Sequence, residues 1–135
     1  AGQVVRQRGS SPKLQVFNTA LMGAIACTEG FGLERLRATP ELWGRITESA
    51  VGAELLARHL GHSSTQPLIH YWRDGANEVD YVVRQQADLF ALEVKSGVHA
   101  GNTQGLDAFC KLYASARPML LGTGGLPLKA WFEGE

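Results

Sequence analysis

The chain has 135 residues, 44% of them hydrophobic, with 13 Lys and Arg balanced by 13 Asp and Glu. That length suits one domain with a real core, residues 13–135, after a polar Gly- and Ser-containing stretch over 1–12 that reads as a linker or a cut edge. Zero net charge excludes bulk attraction to phosphate backbones. No apolar run approaches the roughly 20 residues that span a bilayer, and Gln3, Arg6 and Arg8 interrupt any leader-like start. Cys27 and Cys110 are far apart and in apolar surroundings, so they read as buried free thiols and suggest a reducing, cytoplasmic setting.

In chain order, residues 13–17 alternate like a short strand. Asn18 or Thr19 then caps an apolar helix that runs to about Ala26. Residues 29–39 read as a loop with a short helical turn. Thr39-Pro40-Glu41 opens the clearest helix, with Leu42, Ile46, Val51, Leu55 and Leu56 near helical spacing and Gly61 as the stop. Three strands follow, at 68–72, 78–84 and 89–95, the first closed by the turn Arg73-Asp74-Gly75. Asn102 or Thr103 starts a helix with Leu106, Phe109, Leu112 and Tyr113 on one face. Residues 119–121 read as a buried strand after Pro118, and 126–132 as a last edge strand. The fold class is therefore α/β, with the order helix, three strands, helix, strand and a mixed sheet flanked by helices.

The chemistry concentrates on two strands. Strand alternation puts Glu93 and Lys95 on one face and Leu92 and Val94 in the core. In a hairpin, Asp80 would lie across from Glu93, with Val79 and Tyr81 facing the other way. Paired carboxylates repel unless a cation joins them, and Mg²⁺ or Mn²⁺ suits such oxygens, with the Val94 carbonyl as a third ligand. Lys95 would orient or polarise a water, or offset charge on a phosphate. Glu48, in mid-helix, is the fourth candidate. On its own, an E-x-K on a strand is a solvated ion pair.

Other residues carry plainer readings beside the functional ones. Glu54 and Glu78 read as surface charges. Arg73 is a plausible phosphate contact, and Gln104, early in a helix, a weaker nucleic-acid contact or simply a helix-start polar residue. His59 and His62 lack the partners of a zinc site. His70 lies in a strand, and His99 in a loop where it could approach a phosphate. Tyr71 and Trp72 read as core rather than as base-stacking platforms.

The set Asp80, Glu93-Val94-Lys95 and Glu48 resembles the PD-(D/E)XK nuclease superfamily. The strings Ser11-Pro12-Lys13-Leu14, Gly44-x-x-x-Glu48-x-x-Val51, Tyr71-Trp72-Arg73, Glu78-Val79-Asp80 and Leu92-Glu93-Val94-Lys95-Ser96 together resemble, from Ser11 to Phe132, domain of unknown function 4143. That domain is the C-terminal part of a prokaryotic AAA+ ATPase family. Asn18 stands where Asp is commoner there, and Thr19-Ala20-Leu21 where Thr-Gly-Leu is usual. The resemblance implies a restriction-endonuclease-like core, a metal-dependent nuclease activity on DNA or RNA, and an N-terminal P-loop ATPase domain as partner. It also implies homodimers in those members that cut two strands. No G-x-x-x-x-G-K-[ST] occurs here, and Gly124-Gly125 leads only to Leu126, so no ATP site is expected in this sequence. The alternative is an inactive nuclease fold that binds nucleic acid or a partner and regulates the ATPase. The neutral charge and the lack of a Lys/Arg stripe favour it.

Overall fold

The computed structural model describes residues 15–28, 32–60, 68–99 and 101–134. Helix α1 spans Thr19–Thr28, α2 Leu33–Arg37 and α3 Pro40–Leu60. Strands β1 (Leu68–Asp74), β2 (Asn77–Gln85) and β3 (Asp88–Lys95) follow, then α4 (Gln104–Leu112), β4 (Ala116–Gly122) and α5 (Leu128–Glu133). The sheet order is β1-β2-β3-β4, antiparallel except for the parallel β3–β4 pair. From α3 onward the order is helix, three strands, helix, strand, as expected. The result is a mixed four-stranded sheet flanked by helices.

Asn18 caps α1: its side-chain oxygen accepts from the backbone N–H groups of Ala20 and Leu21 at 3.0 and 3.2 Å. Residues 15–17, read as the end of a strand, are irregular instead. Residues 13 and 14 lie outside the described residues, as do His62, Phe31 and Gly61. Thr39 precedes α3, and its hydroxyl donates back to the Arg35 carbonyl at 2.9 Å, tying α3 to the short α2.

Two cores sandwich the sheet. Val51 and Leu55 of α3 meet Tyr81, Val83, Leu92 and Leu121 on one face, with Leu128 and Trp131 of α5 against them. Leu106 and Phe109 of α4 meet Val79, Val82, Leu89 and Ala91 on the other. Burying each such aliphatic or aromatic side chain contributes about 1.5–3 kcal/mol. Arg58 holds α5 down: its guanidinium lies 4.9 Å from the Trp131 ring centroid, donates to the Trp131 carbonyl, and pairs with Glu54 at 2.8 Å.

Three expectations need correction here. Residues 126–132 do not form an edge strand; Leu126 makes one isolated bridge to Leu121, and Pro127 then caps α5. Proline is well suited to a helix start, and it overrides the alternation of the flanking apolar residues. Pro118 does not precede β4 but lies inside it, opposite Ala91, which an edge strand tolerates because the missing N–H faces no neighbour. Leu112 is 63% exposed rather than part of the α4 core face. That face ends at Phe109, and Tyr113 takes over from the helix end by stacking 4.6 Å from the Phe109 ring centroid.

Helix α4 packs flush against β2. A Cβ at Gly105 would overlap the backbone carbonyl of Glu78, which cannot swing away as a side chain could. Gly105→Ala is therefore expected to destabilise the domain by about 1–3 kcal/mol, since overpacking displaces α4 despite alanine's better helix propensity. A lower urea midpoint with unchanged slope is the expected reading; an unchanged or higher midpoint would show that α4 is not held this tightly.

Candidate active site

The site lies where the sheet forks. β2 pairs with β3 from Gln85↔Asp88 up to Tyr81↔Leu92 and no further. Below that point residues 77–79 of β2 stay with β1, and residues 93–95 of β3 stay with β4. Asp80 and Glu93 occupy the next facing position, at the crotch of the fork. There the Asp80 carboxylate accepts the Val94 backbone N–H at 2.9 Å, so a side chain takes over where the ladder stops.

A bulge lies at Asp80 and Tyr81. The β1–β2 register shifts by one residue between His70↔Val82 and Trp72↔Val79. Val79 and Val82 consequently share the α4 face, while Tyr81 packs on the α3 side. Asp80, between them, lines a cavity with Arg45, Glu48 and Ser49 of α3. The expectation that Val79 and Tyr81 point the same way is thus wrong. A bulge inserts one residue and breaks strict alternation at that point.

Glu93 does follow its expected phase. Leu92 and Val94 belong to the α3-side core, and Glu93 and Lys95 alternate with them; at the open crotch of the fork Glu93 nevertheless lines the cavity that Asp80 and Glu48 line. Lys95 Nζ lies 2.7 Å from Glu93 Oε1, with their side chains only 24% and 13% exposed. This is no solvated surface pair: most of the Glu93 carboxylate is out of water, so its charge must be offset locally. Gly101 lies flat against the Lys95 stem, where any Cβ would press on its Cδ and Cε. The Lys95 carbonyl is fixed as well, accepting the Thr123 N–H at 2.9 Å.

Glu48 completes the group from above. Its backbone carbonyl accepts the Tyr81 hydroxyl at 2.8 Å, a reach that passes over Gly52, where a Cβ would collide with the phenol oxygen. Its carboxylate accepts from the Gln15 amide at 2.9 Å. Glu48, Asp80 and Glu93 all line one cavity of about 610 Å³.

A protein-family model described as a domain of unknown function (DUF4143) matches residues 43–130. The chain belongs to this family. No curated protein and no solved structure matches the chain. The DUF4143 match begins inside α3 and ends inside α5, so it takes in Glu48, Asp80, Glu93 and Lys95, but not Gln15 or α1.

Within this DUF4143 domain the remaining candidates scatter. Arg73 is exposed on β1, opposite Glu78, and does not line the cavity. Gln104 lies in a separate hollow with Asn77, Asn102 and Lys111, its side-chain oxygen taking the Asn102 amide at 3.1 Å. Trp72 is core, packed edge-on at 5.3 Å to Phe109. His70 and His99 are exposed. Cys110 is a free, half-buried thiol; burial first, and then the Asp107 carboxylate, hold its pKa above the ordinary value, so it stays protonated near neutral pH and is a poor nucleophile.

The cavity also contains residues the sequence reading passed over. Glu78 is not a plain strand-edge charge but half-buried and lines the cavity, as do Arg45, Ser49 and Gln15. Arg45 and Ser49 stand three and one residues from Glu48 on one helix, a spacing that was visible once Glu48 was chosen. Gln15 had no such signal. Among the described residues no helix is long and apolar enough to cross a membrane.

Proposed function

We propose that this DUF4143 domain is a metal-dependent phosphodiesterase acting on nucleic acid, built on the PD-(D/E)XK plan and working in the cytoplasm beside an ATPase domain, either as a monomer or a homodimer. The observation that carries the reading is the convergence of Glu48, Asp80 and Glu93 on one cavity at the sheet fork, with Lys95 at 2.7 Å from Glu93. The donor set fits a hard divalent cation, because every anionic group there offers carboxylate oxygen. Among the described residues no three His, Cys, Asp or Glu side chains stand close enough to form a ready-made cage. Mg²⁺ does not need one: it is commonly held by one or two carboxylates, with water and substrate oxygens completing its shell.

Asp80 and Glu93 would hold the Mg²⁺ or Mn²⁺, with the Val94 carbonyl beside them. When bound, the cation would supply Lewis acidity and lower the pKa of a water. Asp80 is already oriented by the Val94 N–H, which fixes one carboxylate oxygen and directs the other. Lys95 offsets the Glu93 charge and presents an ammonium to the phosphate, where negative charge develops. Glu48 orients a water from the helix side. The regulatory-module reading draws support from the Glu93–Lys95 pair, in which each charge offsets the other without any cation.

The deciding experiment is calorimetric titration with Mg²⁺ and Mn²⁺. Wild type is expected to bind at one site or two, and Asp80→Ala to lose that binding. An identical isotherm for the variant would place the ion elsewhere, and a flat wild-type isotherm would favour the regulatory module.

A further inference from the structure

We infer that Arg45 is the residue that grips the nucleic-acid backbone, by a phosphate next to the scissile one; this rests on the phosphodiesterase reading of the cavity. Among the described residues, four carboxylates line the cavity, from Glu48, Glu78, Asp80 and Glu93, and Arg45 is the cation that lines it with them. It stands on the Glu48 face of α3, three residues earlier. The acids have engagements of their own: Asp80 with the Val94 N–H, Glu93 with Lys95, Glu48 with the Gln15 amide.

Arg45 does not join them. Its side chain is exposed, and among the described residues it forms no ion pair, although carboxylates line the same cavity. A guanidinium cannot shed its charge, and its planar fork matches phosphate oxygens two at a time. An arginine kept beside four acids yet outside their pairing is placed to meet an anion that comes from solvent. Such an anion needs local help here. The chain carries no net charge, so no general field draws a polyanion in, and the acids repel it. Lys95 is held on Glu93 at 2.7 Å, where its proposed task is the reacting phosphate rather than the neighbouring one. Arg45 thus separates two tasks: holding the strand, and acting on the phosphate that reacts.

The test uses a fluorescein-labelled oligonucleotide, as single strand and as duplex, read by anisotropy with Ca²⁺ present so that the strand stays intact. Wild type, Arg45→Ala and Arg45→Lys are titrated at several salt concentrations, and each is titrated with Mn²⁺ by calorimetry. Arg45→Ala is expected to weaken binding about tenfold or more regardless of sequence, and to flatten the log–log salt slope by about 0.9 on duplex or 0.7 on single strand. Arg45→Lys should recover the slope but only part of the affinity, since lysine lacks the bidentate fork. Mn²⁺ uptake should be unchanged or tighter. Wild-type-like affinity and slope in Arg45→Ala would overturn the assignment while leaving the metal site standing. Loss of Mn²⁺ uptake in Arg45→Ala would overturn it too, showing a structural role. A wild type that takes up Mn²⁺ but binds neither oligonucleotide would overturn both this inference and the nuclease reading.

Discussion

Replacing Lys95 with alanine is expected to slow phosphodiester hydrolysis by roughly a hundred- to a thousandfold while leaving Mn²⁺ uptake in place. The separation follows from position. A protonated ammonium has no lone pair to give a metal, so Lys95 is no ligand; its partner Glu93, at 2.7 Å, is a proposed one. Removing the ammonium leaves the Glu93 charge without that offset in a site only 13% exposed, which should favour a cation rather than repel it. Asp80→Ala should behave differently and lose metal and activity together. Rates are best compared on linear, nicked, branched and single-stranded substrates with Mn²⁺, for the domain alone and for the domain joined to the proposed ATPase partner. Metal uptake without cleavage anywhere in that panel would sink the nuclease reading in favour of the regulatory one. Loss of Mn²⁺ uptake in Lys95→Ala would instead show that the lysine props up the ligands.

The largest stability effect is expected at Phe109. The ring is 1% exposed, packs edge-on to Trp72 at 5.3 Å and stacks near Tyr113 at 4.6 Å. With Leu106 it is the residue through which α4 enters its core. Phe109→Ala should cost about 3–5 kcal/mol, the range for deleting a buried phenyl group. For a domain of this size that means a Tm lower by roughly 10–20 °C, and partial unfolding at 25 °C if the starting stability is at the low end of the usual range. Phe109→Leu, which keeps most of the volume, should cost less than half as much. Equal Tm values for wild type and Phe109→Ala would mean that α4 is not anchored through this ring.

Much of this was legible in the residues. Thr39-Pro40-Glu41 and the spacing of Val51 and Leu55 located α3, because a helix start and an apolar stripe are local signals. The alternation in Leu92-Glu93-Val94-Lys95 located the acid and the lysine, because β3 is regular along its length. The misses share a cause: they depend on partners distant in sequence. The bulge at Asp80 and Tyr81 is a mismatch between two strands, and neither strand's sequence displays it. Pro118 breaks a central strand but not an edge strand, and only the sheet order reveals which β4 is. Glu78 and Arg45 became site residues because β2 and α3 meet there. Gln15 reaches Glu48 across 33 positions, beyond any spacing rule.

The bulge makes the site sensitive to chain length more than to composition. Asp80 lies in the stretch where β2 has one residue more than β1. Loss of the codon for position 80 would restore even pairing and remove the aspartate, with Tyr81 following Val79 in regular alternation and both cores nearly intact. Exchanging one core aliphatic residue for another would leave the aspartate where it is. A lineage could therefore discard the chemistry and retain the scaffold in one mutational step. In related sequences, the count of residues between the two hairpin turns is a more telling mark of a working site than the presence of an aspartate in the alignment column.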